Sequence, residues 1–302
     1  MTSIVDTIYG KIADRDPIHG KKLRKNLGFY DEHYYELADE FFKKYERVLQ
    51  LENKTLDFSV DCYLRMIADM KNETLDFLHT GRYSSHSFEE VNRRVYSQPG
   101  IMEYYMHGLI VSQFLWKHHY QMFGYFISTF PPFAGSVKNY LEVGVGHGFY
   151  LSQALTVLPE KASVTAVDIS DTSIAMARAF ADNPRIDFRR QDIQHFSTDR
   201  KFDFITLGEV LEHVGQPLEL LLKLRSLLTP NGVLFLTTPT NAPAIDHLYL
   251  FRNIEEIRQL IKEAGFRIAS DKTLVSEEIS LEKAEELKIA TLYGAFLTIG
   301  NP

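Results

Sequence analysis

The segment Tyr140-Leu141-Glu142-Val143-Gly144-Val145-Gly146-His147-Gly148 constrains the fold more than any other part of this chain. It reads as a short strand running into a turn with glycine at every second position, followed by a helical pattern over residues 150–158. Glycines in such a turn accept a left-handed backbone and let a ligand approach without meeting a Cβ. A glycine-rich turn can also do no more than pack a strand against a helix. The next strand supplies a second signal. It ends at Val167-Asp168, twenty residues past Gly148, where an acidic side chain reaches the ribose hydroxyls of an adenosine cofactor. The two signals together say that a nucleoside binds.

The surrounding texture fits that reading. Short β-rich runs at residues 139–143, 163–168, 186–190, 202–207 and 232–238 alternate with helical patterns, for example 170–181 and 218–228. Such alternation predicts an α/β fold, a doubly wound and mainly parallel sheet covered on both faces. The first 130 or so residues read differently. Asp31 caps an amphipathic helix to residue 50, a weaker helical pattern covers 56–79, and Ser87-Phe88-Glu89-Glu90 forms a capping box for a third segment that Pro99-Gly100 ends. Residues 101–130 are apolar or aromatic on nearly every face, which predicts a buried helix. Pro131-Pro132 and Gly135 then break the pattern. The 302 residues suit two domains: an N-terminal all-α cap over 1–134 and a cofactor domain over 135–302.

Three details choose among nucleoside cofactors. The turn reads Glu-x-Gly-x-Gly-x-Gly, whereas dinucleotide sites use G-x-G-x-x-G to set a pyrophosphate on a helix N-terminus. A further acidic residue follows the third strand in Gln191-Asp192-Ile193, and Thr229-Pro230-Asn231-Gly232 opens the fifth. At these residues, and at 207–214, the chain resembles the class I, Rossmann-like S-adenosylmethionine-dependent methyltransferases over about 138–266. The resemblance implies S-adenosylmethionine as cofactor. It further implies that Gly144 and Gly146, with Gly148, line its methionine portion, that Glu142 orients the amino-acid end, that Asp168 and the adjacent Ile169 meet the ribose, and that Asp192 and Ile193 contact the adenine. Tyr150, in the first turn of the next helix, is placed to close the site.

Methyl transfer needs an acceptor held in line with the sulfonium, and a base only where the acceptor must lose a proton. Candidates are His213, Glu209, His247 and His107, with Tyr104 one helical turn from His107. If the segment after the fourth strand is helical, Glu209, Glu212 and His213 share one face, and Asp246-His247 adds a ligand. That set resembles the metal pattern of small-RNA 2′-O-methyltransferases, except that Val214 replaces their second histidine. The sequence reading expects no metal. The aromatic segment 101–130 reads as core, with a lid over the cofactor as the competing role.

The net charge of −7 repels phosphate, and the short run Lys21-Lys22-Leu23-Arg24-Lys25 is no nucleic-acid surface. Cys62 is the only cysteine, so an internal disulfide is excluded. No apolar stretch reaches the length of a membrane span and no signal segment is visible, so a cytoplasmic enzyme with no membrane or nucleic-acid partner is expected; a homodimer is allowed. The expected function is methyl transfer to oxygen, nitrogen or carbon of a small metabolite. Two alternatives keep the cofactor: a cyclase that acts on S-adenosylmethionine itself and releases methylthioadenosine, and a non-catalytic cofactor-binding partner protein.

Overall fold

The central strands of the sheet are buried on both faces, which is what parallel strands with crossover helices require. A computed structural model describes residues 3–300. Strands β1 (Asn139–Val143), β2 (Ser163–Asp168), β3 (Ile186–Arg190), β4 (Phe202–Gly208) and β5 (Leu228–Thr240) run parallel. With β6 (Phe266–Val275) and β7 (Thr291–Ile299) they form one sheet in the order β3-β2-β1-β4-β5-β7-β6. β7 is antiparallel to both neighbours. The order reverses between β1 and β4, the switch point at whose carboxyl ends open α/β sheets bind ligands.

Period-2 alternation decides which helices cover which face. Leu141, Val143, Ile205, Leu207, Leu234, Leu236 and Leu297 point into one core, shared with the apolar sides of helices at Pro217–Leu227 and Ile254–Glu263. Tyr140, Phe204, Val233, Phe235 and Phe296 point the other way, into a core shared with helices at Lys117–Thr129, Pro131–Ala134 and Phe149–Val157.

The N-terminal helices are α1 (Ile4–Arg15), α2 (Pro17–Leu27), α3 (Glu32–Leu51), α4 (Leu56–Thr80), α5 (Phe88–Val91) and α6 (Pro99–Leu115). The basic run at residues 21–25 lies in α2, with Leu23 buried and its charges turned outward. The Asp31 carboxylate accepts from the Tyr34 N–H at 3.0 Å, and the Ser87 hydroxyl from Glu90 N–H at 3.2 Å. α5 passes into a π-helical turn, Asn92–Tyr96, before α6. Pro99 starts α6, at the first helical position where its missing N–H costs nothing.

The apolar stretch 101–130 is two helices. α6 ends at Trp116, whose backbone is extended at φ −100°, ψ 120°, and whose indole N–H donates to the Tyr63 hydroxyl at 2.9 Å. α7 (Lys117–Thr129) packs Tyr120 and Phe123 with the core of the helical bundle and lays its later turns, through Phe126, on the sheet. The Phe126 ring sits 4.9 Å from that of Phe235 and 5.0 Å from that of Tyr150, and Phe130 lies 4.6 Å from Phe204. The approach is close enough that a Cβ on Gly294 of β7 would meet Met122 Sδ of α7 at 2.3 Å. The Pro131–Gly135 break therefore falls inside the layer that covers the sheet, and we propose Trp116 as the division between the helical part and the cofactor part. The helical bundle seats on the sheet's own helices through aromatic contacts: Phe41 is 4.6 Å from Phe149 and 5.2 Å from Phe180.

Phe126 is fully buried at the centre of that seam. Phe126→Ala is expected to cost about 3–5 kcal/mol of stability in the full chain, measured by urea denaturation. A loss below about 1 kcal/mol would mean that α7 contributes no core to the sheet.

Candidate cofactor and acceptor site

At the carboxyl end of β1 the chain turns through Gly144, Gly146 and Gly148, all with positive φ (67°, 51° and 79°). The reasons for glycine differ. A Cβ on Gly144 would meet Val210 Cγ2 at 2.4 Å, and one on Gly148 would meet the Ala177 Cα at 2.9 Å. At Gly146 the nearest atom would be the Gly144 carbonyl at 4.0 Å, so there the backbone borders open space. The Gly146 N–H donates to Asp168 Oδ2 at 3.1 Å, and Ser170 N–H donates to Oδ1 at 2.8 Å. Asp168 thus ties the turn after β1 to the turn after β2. Burial raises its pKa from the ordinary aspartate value, against the lowering effect of these backbone hydrogen bonds.

Glu142 lies one layer below. Its Oε1 accepts from the Leu151 N–H at 3.2 Å, in the first turn of α9 (Phe149–Val157; α8 is the short Pro131–Ala134), and its Oε2 from the Tyr140 hydroxyl at 2.6 Å. It is 3% exposed, and burial pushes its pKa up to about 8. Asp192 caps a 3-10 turn at Ile193–His195, its Oδ1 accepting from Gln194 N–H at 2.9 Å, with Ile193 buried beside it. Ile169 is half-buried between Asp168 and Ser170. The Tyr150 ring lies over the end of β4, where a Cβ on Gly208 would touch it at 3.1 Å.

The segment after β4 is not the helix that the i, i+3, i+4 spacing supposes. Glu209 adopts φ 53°, and its N–H donates to the Thr237 carbonyl at 3.0 Å, so it continues the β4–β5 ladder; only Leu211–His213 form a 3-10 turn. Glu209 therefore does not share a helical face with Glu212 and His213. Glu212 and His213 are brought instead to the loop after β5. His213 Nδ1 lies 3.2 Å from the Asp246 carbonyl, 3.4 Å from its Oδ2 and 3.1 Å from the Tyr96 hydroxyl. His247 Nδ1 contacts the Ala242 carbonyl, and the rings of His213 and His247 stand 4.7 Å apart at 86°. Glu212 is 1% exposed; the Thr238 hydroxyl donates to its Oε2 at 2.8 Å, while Oε1 has no hydrogen-bond partner among the described residues and lies 3.8 Å from His213 Nε2. Burial raises the pKa of Glu209, burial together with the neighbouring Glu209 carboxylate raises that of Glu212, and burial lowers that of His247 to about 4.

His107 and Tyr104 are not part of this assembly. His107 sits inside the helical bundle, its Nδ1 2.6 Å from the Tyr45 hydroxyl and its Nε2 3.0 Å from Glu52 Oε2. The Tyr104 hydroxyl donates to Asp69 Oδ2 at 2.6 Å beneath the Arg65 guanidinium. The helical residues that do reach the site are ones the sequence reading passes over. The Tyr83 hydroxyl accepts from the Ala242 N–H at 3.0 Å, Ser85 and Arg94 donate to the Ile245 carbonyl at 3.0 and 2.6 Å, and Tyr96 donates to Asp246 Oδ2 at 3.3 Å. The one available signal is their bracketing of the capping box at Ser87; the π-helical turn that aims Tyr96 has no sequence signature.

A family model described as a methyltransferase domain matches residues 116–271, beginning at the residue where α6 ends. Among curated relatives, a ubiquinone biosynthesis O-methyltransferase of Xanthomonas campestris pv. campestris (strain B100) is 37% identical over 108 residues, covering 34% of this chain and 44% of that protein. One from Actinobacillus pleuropneumoniae serotype 7 (strain AP76) is 38% identical over 109 residues, covering 33% and 45%. The chain thus spans less than half the length of these relatives. Among solved structures, mitomycin 7-O-methyltransferase MmcR superposes with a TM-score of 0.53 at 12% identity, over 81% of this chain and 70% of that one, a likeness of fold alone.

The raised pKa of Glu142 has a sign that can be tested. Between the ordinary value of 4.5 and about 8, the folded state keeps a proton that the unfolded chain has released, so this group's contribution to stability falls as pH rises through that window. The melting temperature of the wild type is expected to decline between pH 6.5 and 8.5 more steeply than that of Glu142→Gln, by differential scanning fluorimetry. Equal slopes would mean that Glu142 titrates normally.

Proposed function

The chain belongs to the methyltransferase domain family, and on that premise we propose that it transfers a methyl group from S-adenosylmethionine to a small metabolite. The observation that carries the reading is the turn at residues 144–148. Its middle glycine borders open space, and a buried carboxylate from the neighbouring strand end lies against the same backbone. Such a cradle fits a nucleoside with a short polar tail. No side chain crowds the backbone at Gly146, and Asp168 still has acceptor capacity beyond its two backbone bonds for the ribose hydroxyls. Asp192 and Ile193 would border the adenine, Ile169 the ribose, and Gly144 and Gly146 the methionine portion.

When bound, S-adenosylmethionine supplies a methyl group made electrophilic by its sulfonium. The chain's own task is then to orient the acceptor and exclude water. Tyr150 covers the end of β4, while Tyr83 and Tyr96 of the helical part hold down the loop at 242–247. Where the acceptor must lose a proton, Glu209 and the cluster of Glu212, His213 and His247 offer the groups. The curated relatives are named for O-methylation, so oxygen is the first atom to test.

Purified protein is incubated with S-adenosylmethionine, with and without a metabolite extract, and the nucleoside products are read by mass spectrometry. S-adenosylhomocysteine formed only with extract is expected. Methylthioadenosine formed without extract would replace methyl transfer by cyclisation of the cofactor, and cofactor binding with neither product would leave a binding protein. In the same preparation Asp168→Ala is expected to weaken S-adenosylmethionine binding by about 1–3 kcal/mol in calorimetry; unchanged affinity in a folded variant would remove Asp168 from the site.

A further inference from the structure

We propose that Glu212, His213 and His247 together hold one divalent transition-metal ion of the zinc class, leaving coordination positions open for an oxygen donor of the acceptor. From the sequence no metal is expected, because Val214 stands where the resembled metal pattern has its second histidine and the net charge is acidic. The fold leaves Glu209 out of the candidate set and gathers the other three, from the 3-10 turn after β4 and the loop after β5, with ligand atoms that all lie within 4.8 Å of one another.

Two independent observations point to a cation. Glu212 is buried to 1% exposure, and its Oε1, 3.8 Å from His213 Nε2, has no hydrogen-bond partner among the described residues. A buried carboxylate oxygen left unpaired is costly unless a cation or donor meets it. The second observation is the orientation of the two imidazoles. His247 turns Nδ1 to the Ala242 carbonyl and His213 turns Nδ1 to the Asp246 carbonyl and carboxylate. With Nδ1–H donating outward, each ring keeps a lone pair on Nε2. Metal-binding histidines are held in this way, one nitrogen fixed by a carbonyl or carboxylate and the other on the metal.

The donor set selects the ion. Two imidazoles and one carboxylate suit zinc, iron(II), cobalt(II) or manganese(II), whereas magnesium keeps its waters and prefers all-oxygen sites. Three protein ligands with the rest open is the arrangement of catalytic sites. Tetrahedral ligands at about 2.0–2.1 Å from zinc lie about 3.4 Å apart; Glu212 Oε1 and His213 Nε2 stand at 3.8 Å already. The assignment of the open positions to an acceptor oxygen rests on the methyl-transfer reading. The metal site itself does not.

The test titrates cobalt(II) into chelator-treated full-length protein and follows the visible absorption of the ion, with no cofactor or acceptor present. One equivalent is expected to bind with the absorption of a low-coordinate nitrogen–oxygen site. Zinc should displace it and a millimolar excess of magnesium should not. Glu212→Gln and His247→Gln are each expected to weaken binding at least about 100-fold, and Tyr96→Phe, which removes only a hydroxyl from the surroundings of His213, about 10-fold. Absence of stoichiometric cobalt binding by the wild type would overturn the proposal, as would binding unchanged in folded Glu212→Gln and His247→Gln proteins. S-adenosylhomocysteine calorimetry on the same metal-free samples separates the two readings. Normal nucleoside binding without cobalt binding would sink the metal and spare the methyltransferase reading, and the converse would do the reverse.

Discussion

The hydrogen bond from the Gly146 amide to the Asp168 carboxylate joins the first two strand ends of the sheet into one rigid corner. It can exist only because the backbone at residues 144–148 passes three times through a conformation that side chains resist. That geometry in turn requires Val210 to pack where Gly144 has no Cβ, and Ala177 to pack where Gly148 has none. The corner therefore positions the start of the segment after β4 as well as the helix after β2. Glu142 fixes the same corner from below by accepting the Leu151 amide. Two buried carboxylates thus hold one loop from opposite sides, each at the electrostatic cost that its raised pKa records.

The helical part contributes to the site through its loops rather than through its aromatic core. Residues 101–130, the most hydrophobic stretch, divide at Trp116 into a bundle helix and a sheet helix, and both halves are used for packing. The segment between α4 and α6 is polar and irregular, and its Tyr83, Ser85, Arg94 and Tyr96 fasten the loop that carries Asp246 and His247. A surface loop has backbone groups to satisfy and side chains free to reach, which is why function collects there.

Much of this was legible in the sequence. The first four strands were expected within a residue of their bounds: three are short, mainly apolar runs closed by glycine or an acidic residue, and the other, Ile186–Arg190, alternates apolar and charged residues before the turn that follows it. The glycine turn and Asp168 announced themselves by spacing. What was missed depended on tertiary context. No local signal stops a helix at Trp116; the tyrosine that accepts its indole N–H is 53 positions away in the chain. Glu209 fits a helical spacing with Glu212 and His213, but β5 lies close enough to capture its amide. β6 and β7 escaped because one is half-exposed along its length and the other is buried throughout, so neither shows a distinctive period. His107 was singled out for its chemistry, although its neighbours Tyr45 and Glu52 belong to a helix that satisfies it fully.

The seam between the two parts has a consequence for the order in which the molecule assembles. The four bonds that fasten the loop at 242–247 link residues 150 to 160 positions apart, while the glycine corner is closed by residues 22 apart. Distant contacts carry the larger loop-closure entropy and form only when both partners are already structured. The loop at 242–247 is therefore expected to order after the glycine corner as the chain folds and to open before it in the native state. The Ala242 amide, whose proton is held only by a tyrosine from the other part, is the natural reporter of that opening in hydrogen exchange.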